Sequence, residues 1–176
     1  GDLQDAYLGV DGAMVQMITH AFGSGAMFVG FGILYHQINS REISKYGGVA
    51  HSMPVFSAFF LLFAMTNVGL PGTAGFVGEF MVIMSAFHGN FWVALLAAST
   101  LIIGATYTLW MYRRVFYGVA ASPQIEGLQD ISGITMILFG ILGLVIIALG
   151  VYPNPMLNMM HASVGHVMKL ALASRL

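Results

Sequence analysis

The chain has 176 residues, 58% of them hydrophobic and only 7% charged. A soluble domain carries about 25% charged residues, so this composition excludes one and indicates a helical integral membrane protein. The net charge of -1 argues against nucleic acid as a partner, and the absence of Cys excludes disulfides, thiolate metal sites and cysteine nucleophiles.

The first residues, Gly1 to Asp11, are polar and acidic and read as an extramembrane lead-in loop over 1–11. They lack the basic and short apolar pattern of a signal peptide, so the chain is expected to be the C-terminal piece of something longer. Residues 12–35 form the first apolar run. At ~1.5 Å per residue it can cross a ~30 Å hydrocarbon core with some tilt. Gly23, Gly25, Gly30 and Gly32 give it a smooth face for close helix packing, and His20 is its ionisable group. A polar loop with Arg41, Glu42 and Lys45 follows.

Residues 53–88 form a largely apolar run whose one Asp, Glu, Lys or Arg is Glu79, the sole such residue between Lys45 and Arg113. As one unbroken helix the run would reach roughly 54 Å, too long for one span. Pro71 removes an N–H and clashes with the carbonyl of Asn67, and the surrounding glycines permit unusual backbone angles. A break is therefore expected near 69–78, at Gly69, Pro71, Gly72, Thr73 and Gly75. It is either a hairpin between two short spans or an interruption within one.

Residues 91–112 form the next span, bracketed by Trp92 and Trp110 and ended by Arg113 and Arg114. After a short polar loop, residues 131–151 form the last span, stopped by Tyr152 to Pro155. In the tail, 155–173, Met156, Met160, Val164, Val167 and Ala171 recur at helical spacing opposite Asn158, His161, Gly165 and Lys169. That pattern predicts an amphipathic surface helix.

Charge bias decides between hairpin and interruption. A single crossing by 53–88 places Arg41, Lys45, Arg113 and Arg114 on one side, the cytoplasmic one, and Lys169 and Arg175 on the other. The expected architecture is all-α. It is a membrane bundle of four transmembrane segments over 12–151, one of them interrupted, with an amphipathic C-terminal helix.

Glu79 and His20 are the candidates for chemistry. Low polarity disfavours a charged carboxylate, while backbone dipoles or a cation favour it, and a group balanced between the two can load and release a proton. The structural alternative for Glu79 is a solvated acid at a turn. His20 can relay protons or simply bond a neighbouring helix. Thr66, Asn67 and Thr73 flank the break and suit the satisfaction of freed backbone groups. The His residues form no ligand cluster, so no metal site is expected.

Three stretches carry a resemblance. Gln16-Met-Ile-Thr-His20-Ala-Phe, Gly47-Gly-Val-Ala-His-Ser-Met-Pro54 and Val68-Gly-Leu-Pro-Gly-Thr-Ala-Gly-Phe-Val-Gly-Glu79-Phe are similar to the antiporter-like subunits of respiratory complex I. The nearest branch is the one called chain M in bacteria and chain 4 in mitochondria. The related chain L and cation/proton antiporters tend to carry Lys where Glu79 and Ser24 stand. The resemblance implies a proton-translocating subunit of an NADH:quinone oxidoreductase. It implies an interrupted helix bearing Glu79 on the proton exit route, His20 on a hydrated axis, and a tail docked on a neighbouring subunit. NADH, FMN, iron-sulfur clusters and quinone are then expected in other subunits, with no cofactor here. The implied partners are membrane-arm subunits, adjacent antiporter-like ones included, and the lipid bilayer. The implied location is the bacterial plasma membrane, with the mitochondrial inner membrane as its counterpart. The family's first repeat, with its Glu–Lys pair, is absent. The alternatives are a subunit of a related antiporter or membrane-bound hydrogenase, or a structural scaffold piece.

Overall fold

The computed structural model describes residues 3–173. Its helices in chain order are α1 (Leu3–Ile38), α2 (Val49–Ser52), α3 (Pro54–Asn67), α4 (Ala74–Gly89), α5 (Phe91–Phe116), α6 (Pro123–Glu126), α7 (Gly133–Val151) and α8 (Asn154–Ala173). Helices α1, α5 and α7 are each long and apolar enough to cross a membrane, and α3 and α4 are shorter apolar helices.

Helix α1 starts far earlier than the sequence pattern suggests. The lead-in loop expected over 1–11 is helical from Leu3 onward, while Gly1 and Asp2 lie outside the described residues. Two of its acidic side chains meet histidines of other helices, one at the end of α4 and one within α8. Asp5 meets His88 Nδ1 at 2.7 Å, and Asp11 meets His161 Nδ1 at 3.4 Å. The Ser85 hydroxyl donates to the Asp5 carbonyl at 2.6 Å. With 36 residues, α1 extends over roughly 54 Å.

The glycines of α1 give the register of its neighbours. A Cβ added to Gly30 would lie 2.8 Å from the Phe60 ring, and one on Gly23 would lie 3.3 Å from Thr66. A Cβ on Gly12 would lie 2.7 Å from Met81 Cβ, and one on Gly9 would meet Ser85. As the α1 number falls from 30 to 9, the partner number rises from 60 to 85 without reversing. Helices α3 and α4 therefore follow one another down α1 as one interrupted, antiparallel crossing. A hairpin would have sent α4 back along α3. Gly25 and Gly32, expected on the same smooth face, have nothing within 4 Å. Two residues turn an α-helix by about 200°, so they point away from Gly23 and Gly30.

The charges gather as a single crossing requires. The Gly48 N–H donates to the Tyr117 carbonyl at 3.2 Å, which joins the loop after α1 to the end of α5. Arg41, Lys45, Arg113 and Arg114 thus cluster at one end, and Arg114 stacks 4.3 Å over Trp110. Lys169 lies at the opposite end, in a groove with Gln4 and Asp11. Arg175 lies outside the described residues.

Five phenylalanines pack the end where α3, α5 and α7 meet. Phe56, Phe60, Phe63, Phe116 and Phe139 are all fully buried. Their ring centroids approach to 4.9 Å for Phe60–Phe116 and 5.3 Å for Phe63–Phe139, the range that favours edge and offset contacts. The start of α3 is capped from a distance. Asp130 accepts from the N–H of Val55 at 2.8 Å and of Phe56 at 2.9 Å, answering two of the unpaired donors of a helix N-terminus.

Helix α8 buries Met156, Met160 and Val164. Met156 and Met160 pack with Val15 of α1. Val167 and Ala171, expected on the same face, are exposed.

Candidate proton-carrying site at the helix break

The break spans residues 68–73 and is built from two local motifs. Gly69, at φ +70°, ends α3. Its N–H donates to the Thr66 carbonyl at 3.2 Å, and the Leu70 N–H donates to the Met65 carbonyl at 3.0 Å. These are the paired bonds of a Schellman cap, which needs a left-handed residue at this point. Leu70 to Thr73 then form a type II turn. Its bond runs from the Thr73 N–H to the Leu70 carbonyl at 3.0 Å, with Pro71 second and Gly72 third at φ +90°. Pro71 follows a helix that Gly69 has already ended, and the clash with the Asn67 carbonyl is avoided. Gly75 is not part of the break. It lies in the first turn of α4, where a Cβ would strike the Thr66 carbonyl oxygen.

Polar side chains around the break bond to nearby carbonyls. The Thr66 hydroxyl donates to Leu62 O at 2.9 Å and the Thr73 hydroxyl to Leu70 O at 2.7 Å. Asn67 Nδ2 contacts Met27 Sδ at 2.8 Å and Phe63 O at 3.4 Å. The Asn67 Oδ1 is buried without a hydrogen-bond partner.

Glu79 lies on α4 just past the break, and its carboxyl faces protein. Oε1 accepts from Gln16 Nε2 of α1 at 3.0 Å. Oε2 is buried and has no hydrogen-bond partner. It lies against Gly69, so closely that a Cβ there would collide with it. Three glycines make the arrangement possible. Gly69 vacates the space for Oε2, and a Cβ on Gly78 would lie 2.7 Å from Gln16 N. Gly12 does the same for Met81 one turn along. Small residues at such a crossing let two backbones come close.

His20 is not part of this contact. It is exposed one turn beyond Gln16, and its carbonyl accepts from the Ser24 hydroxyl at 2.6 Å. The structure thus brings Glu79 to Gln16 and Gly69 and leaves His20 on an uncovered face. Gln16 was not singled out from the sequence as a partner of the acid. Its only signal there is a polar residue one turn before His20 in an apolar run. Among the described residues no group of three His, Asp or Glu is placed to hold a metal.

A carboxyl with one oxygen on a single amide donor and the other buried against Gly69 can hold a proton and give it up when the local field changes. The family model described as NADH:quinone oxidoreductase/Mrp antiporter, TM, matches residues 3–106. The chain belongs to this family. It is similar to NADH-quinone oxidoreductase subunit M of Rhodobacter capsulatus, with 42% identity over 92% of this chain and 31% of the relative. It is 38% identical to NADH-ubiquinone oxidoreductase chain 4 of Marchantia polymorpha, over 92% of this chain and 32% of the relative. Its fold resembles a chain in the structure of respiratory complex I from Thermus thermophilus with bound NADH. The TM-score is 0.84 and the identity 29%, over 94% of this chain and 35% of that one. The chain therefore spans about a third of the length of the relatives it matches. The family resemblance read from the motifs holds, and these relatives carry the names of the branch that Glu79 favours.

Proposed function

We propose that this chain is a proton-translocating part of the membrane arm of an NADH:quinone oxidoreductase. The observation that carries the reading is the Glu79 carboxyl, which is clasped by Gln16 and set against a helix break. An acid in a membrane segment is costly and rare unless it serves transport.

Electron transfer takes place in other subunits, which hold the NADH, FMN, iron-sulfur and quinone sites. It changes the electrostatics of a buried polar axis. His20 passes a proton along that axis through water, and Glu79 takes it up and holds it before release. The unwound backbone from Val68 to Thr73 gives water a route to the carboxyl, as broken helices do in transporters. Arg113 and Arg114 anchor α5 at the cytoplasmic interface and carry no protons. The exposed apolar faces, including Leu96 and Ile102 of α5, meet lipid or neighbouring antiporter-like subunits. The location that fits is the bacterial plasma membrane, with the mitochondrial inner membrane as its counterpart.

The test replaces Glu79 by Gln in the assembled complex and measures proton pumping and quinone reduction together. Pumping per electron is expected to fall several-fold. Normal assembly with unchanged pumping removes Glu79 from the mechanism. The family description also covers Mrp antiporters. Transport that requires sodium would move the chain to that branch.

A further inference from the structure

We infer that Gln16 is a positioning residue that decides which oxygen of Glu79 carries the proton. The inference rests on the reading of Glu79 as the carrier. It is drawn from the contact between two residues 63 positions apart, whose helices meet through glycines.

An ionised carboxylate can only accept hydrogen bonds, so the Gln16 amide must present its NH₂ end to Oε1. The 3.0 Å distance is that of a full N–H···O bond. The other end of the amide points back at its own helix, where Oε1 of Gln16 lies 3.5 Å from the buried Thr19 hydroxyl. When Glu79 binds a proton, one oxygen becomes O–H and the other remains a carbonyl acceptor. A carbonyl oxygen accepts more strongly than a hydroxyl oxygen, so Oε1, which holds the Gln16 bond, remains the carbonyl. The O–H therefore falls on Oε2, the oxygen buried against Gly69 at the break.

The contact is not a loose surface pairing. Gly78 immediately precedes Glu79, and a Cβ on it would lie 2.7–2.8 Å from Gln16 N, Cα and Cβ. The absence of that Cβ lays the Gln16 backbone on α4, next to the residue that its amide meets. Gly69 completes the arrangement from the opposite side. Together they set one carboxyl oxygen on an amide donor and the other against Gly69.

The test uses the complete complex in sealed membrane vesicles, with Gln16→Met, which keeps the length and volume of the side chain and deletes the donor. Infrared difference spectra report the carbonyl stretch of protonated Glu79, assigned by its disappearance in Glu79→Gln. Loss of the hydrogen bond to the carbonyl oxygen should move this band to higher wavenumber. Pumping per electron should fall several-fold while quinone reduction persists. Were the O–H on Oε1, deleting the amide would take no hydrogen bond from the carbonyl oxygen, and the band would not rise. If Gln16→Met fails to assemble, Gln16→Asn keeps an amide and withdraws it by one methylene, and the same band shift is expected. An unmoved band in either assembled variant overturns the inference. Wild-type pumping in Glu79→Gln would instead overturn the underlying reading.

Discussion

Where α3 meets α5 and α7, phenylalanine rings fill the space; where α1 meets α4, glycines bring the backbones together. At the first place, Phe56, Phe60, Phe63, Phe116 and Phe139 leave no accessible surface, and the Tyr112 hydroxyl at its edge is spent on the Ser57 carbonyl at 2.9 Å. At the second, Gly9, Gly12 and Gly78 sit where any Cβ would collide, and one amide meets one carboxylate. Rings give a dry block that resists deformation because interiors pack densely. Glycines give a close crossing whose geometry depends on the absence of atoms. The polar pair can exist only at the crossing, since the aromatic block has no room for an acid. The bundle thus has one half packed by rings and one half in which a polar pair sits between close backbones.

The largest expected effect comes from filling the crossing. Gly78→Val puts a branched side chain into the Gln16 backbone, which cannot yield without separating α1 from α4. Overpacking of this kind costs about 3 kcal/mol or more. The expected outcome is loss of the subunit from the assembled complex, checked by quantifying it in purified membranes. Normal assembly with normal pumping would show that the crossing tolerates separation and would erase the contrast.

A cavity in the aromatic block sharpens the same contrast. Phe139→Ala removes a ring packed against Phe56, Phe59 and Phe63. It is expected to cost roughly 3 kcal/mol through the space left behind. The thermal stability of the complex should fall while the Glu79 carbonyl band stays in place. A shifted band would mean that the two halves are mechanically one.

The smallest effect is expected where α8 rests on α1. His161→Ala removes a 3.4 Å contact between a largely exposed imidazole and the buried Asp11 carboxyl, and should cost about 1–2 kcal/mol. Faster amide hydrogen exchange over Met156 to Val164, with pumping unchanged, is the expected reading. A several-fold loss of pumping would place this contact with the polar crossing and not with passive docking.

Much of the fold was legible in the residues because it is local. Apolar run length gives α5 and α7, and Gly69-Leu-Pro-Gly-Thr73 writes its own stop, since a left-handed glycine cap and a Pro-Gly turn need no distant partner. The break proved shorter than expected, because Gly75 and Gly78 are helical and serve close approach to Thr66 and Gln16. Local pattern does not distinguish a glycine that breaks a helix from one that lets another helix approach. The early start of α1 was hidden for a related reason. Asp5 and Asp11 look like loop residues until His88 and His161 are placed beside them.

The chain by itself determined its class, the place of the break and the acid beside it, all of which depend on neighbours a few residues apart. Tertiary structure alone decided what that acid touches. The antiparallel register of α1 sets Gln16 level with Glu79, and the capped, turned segment after α3 returns Gly69 to the same carboxyl. The same register leaves His20 on the uncovered side. Which residues share a level on two packed helices depends on the relative position of whole elements, and no short stretch of sequence contains that information.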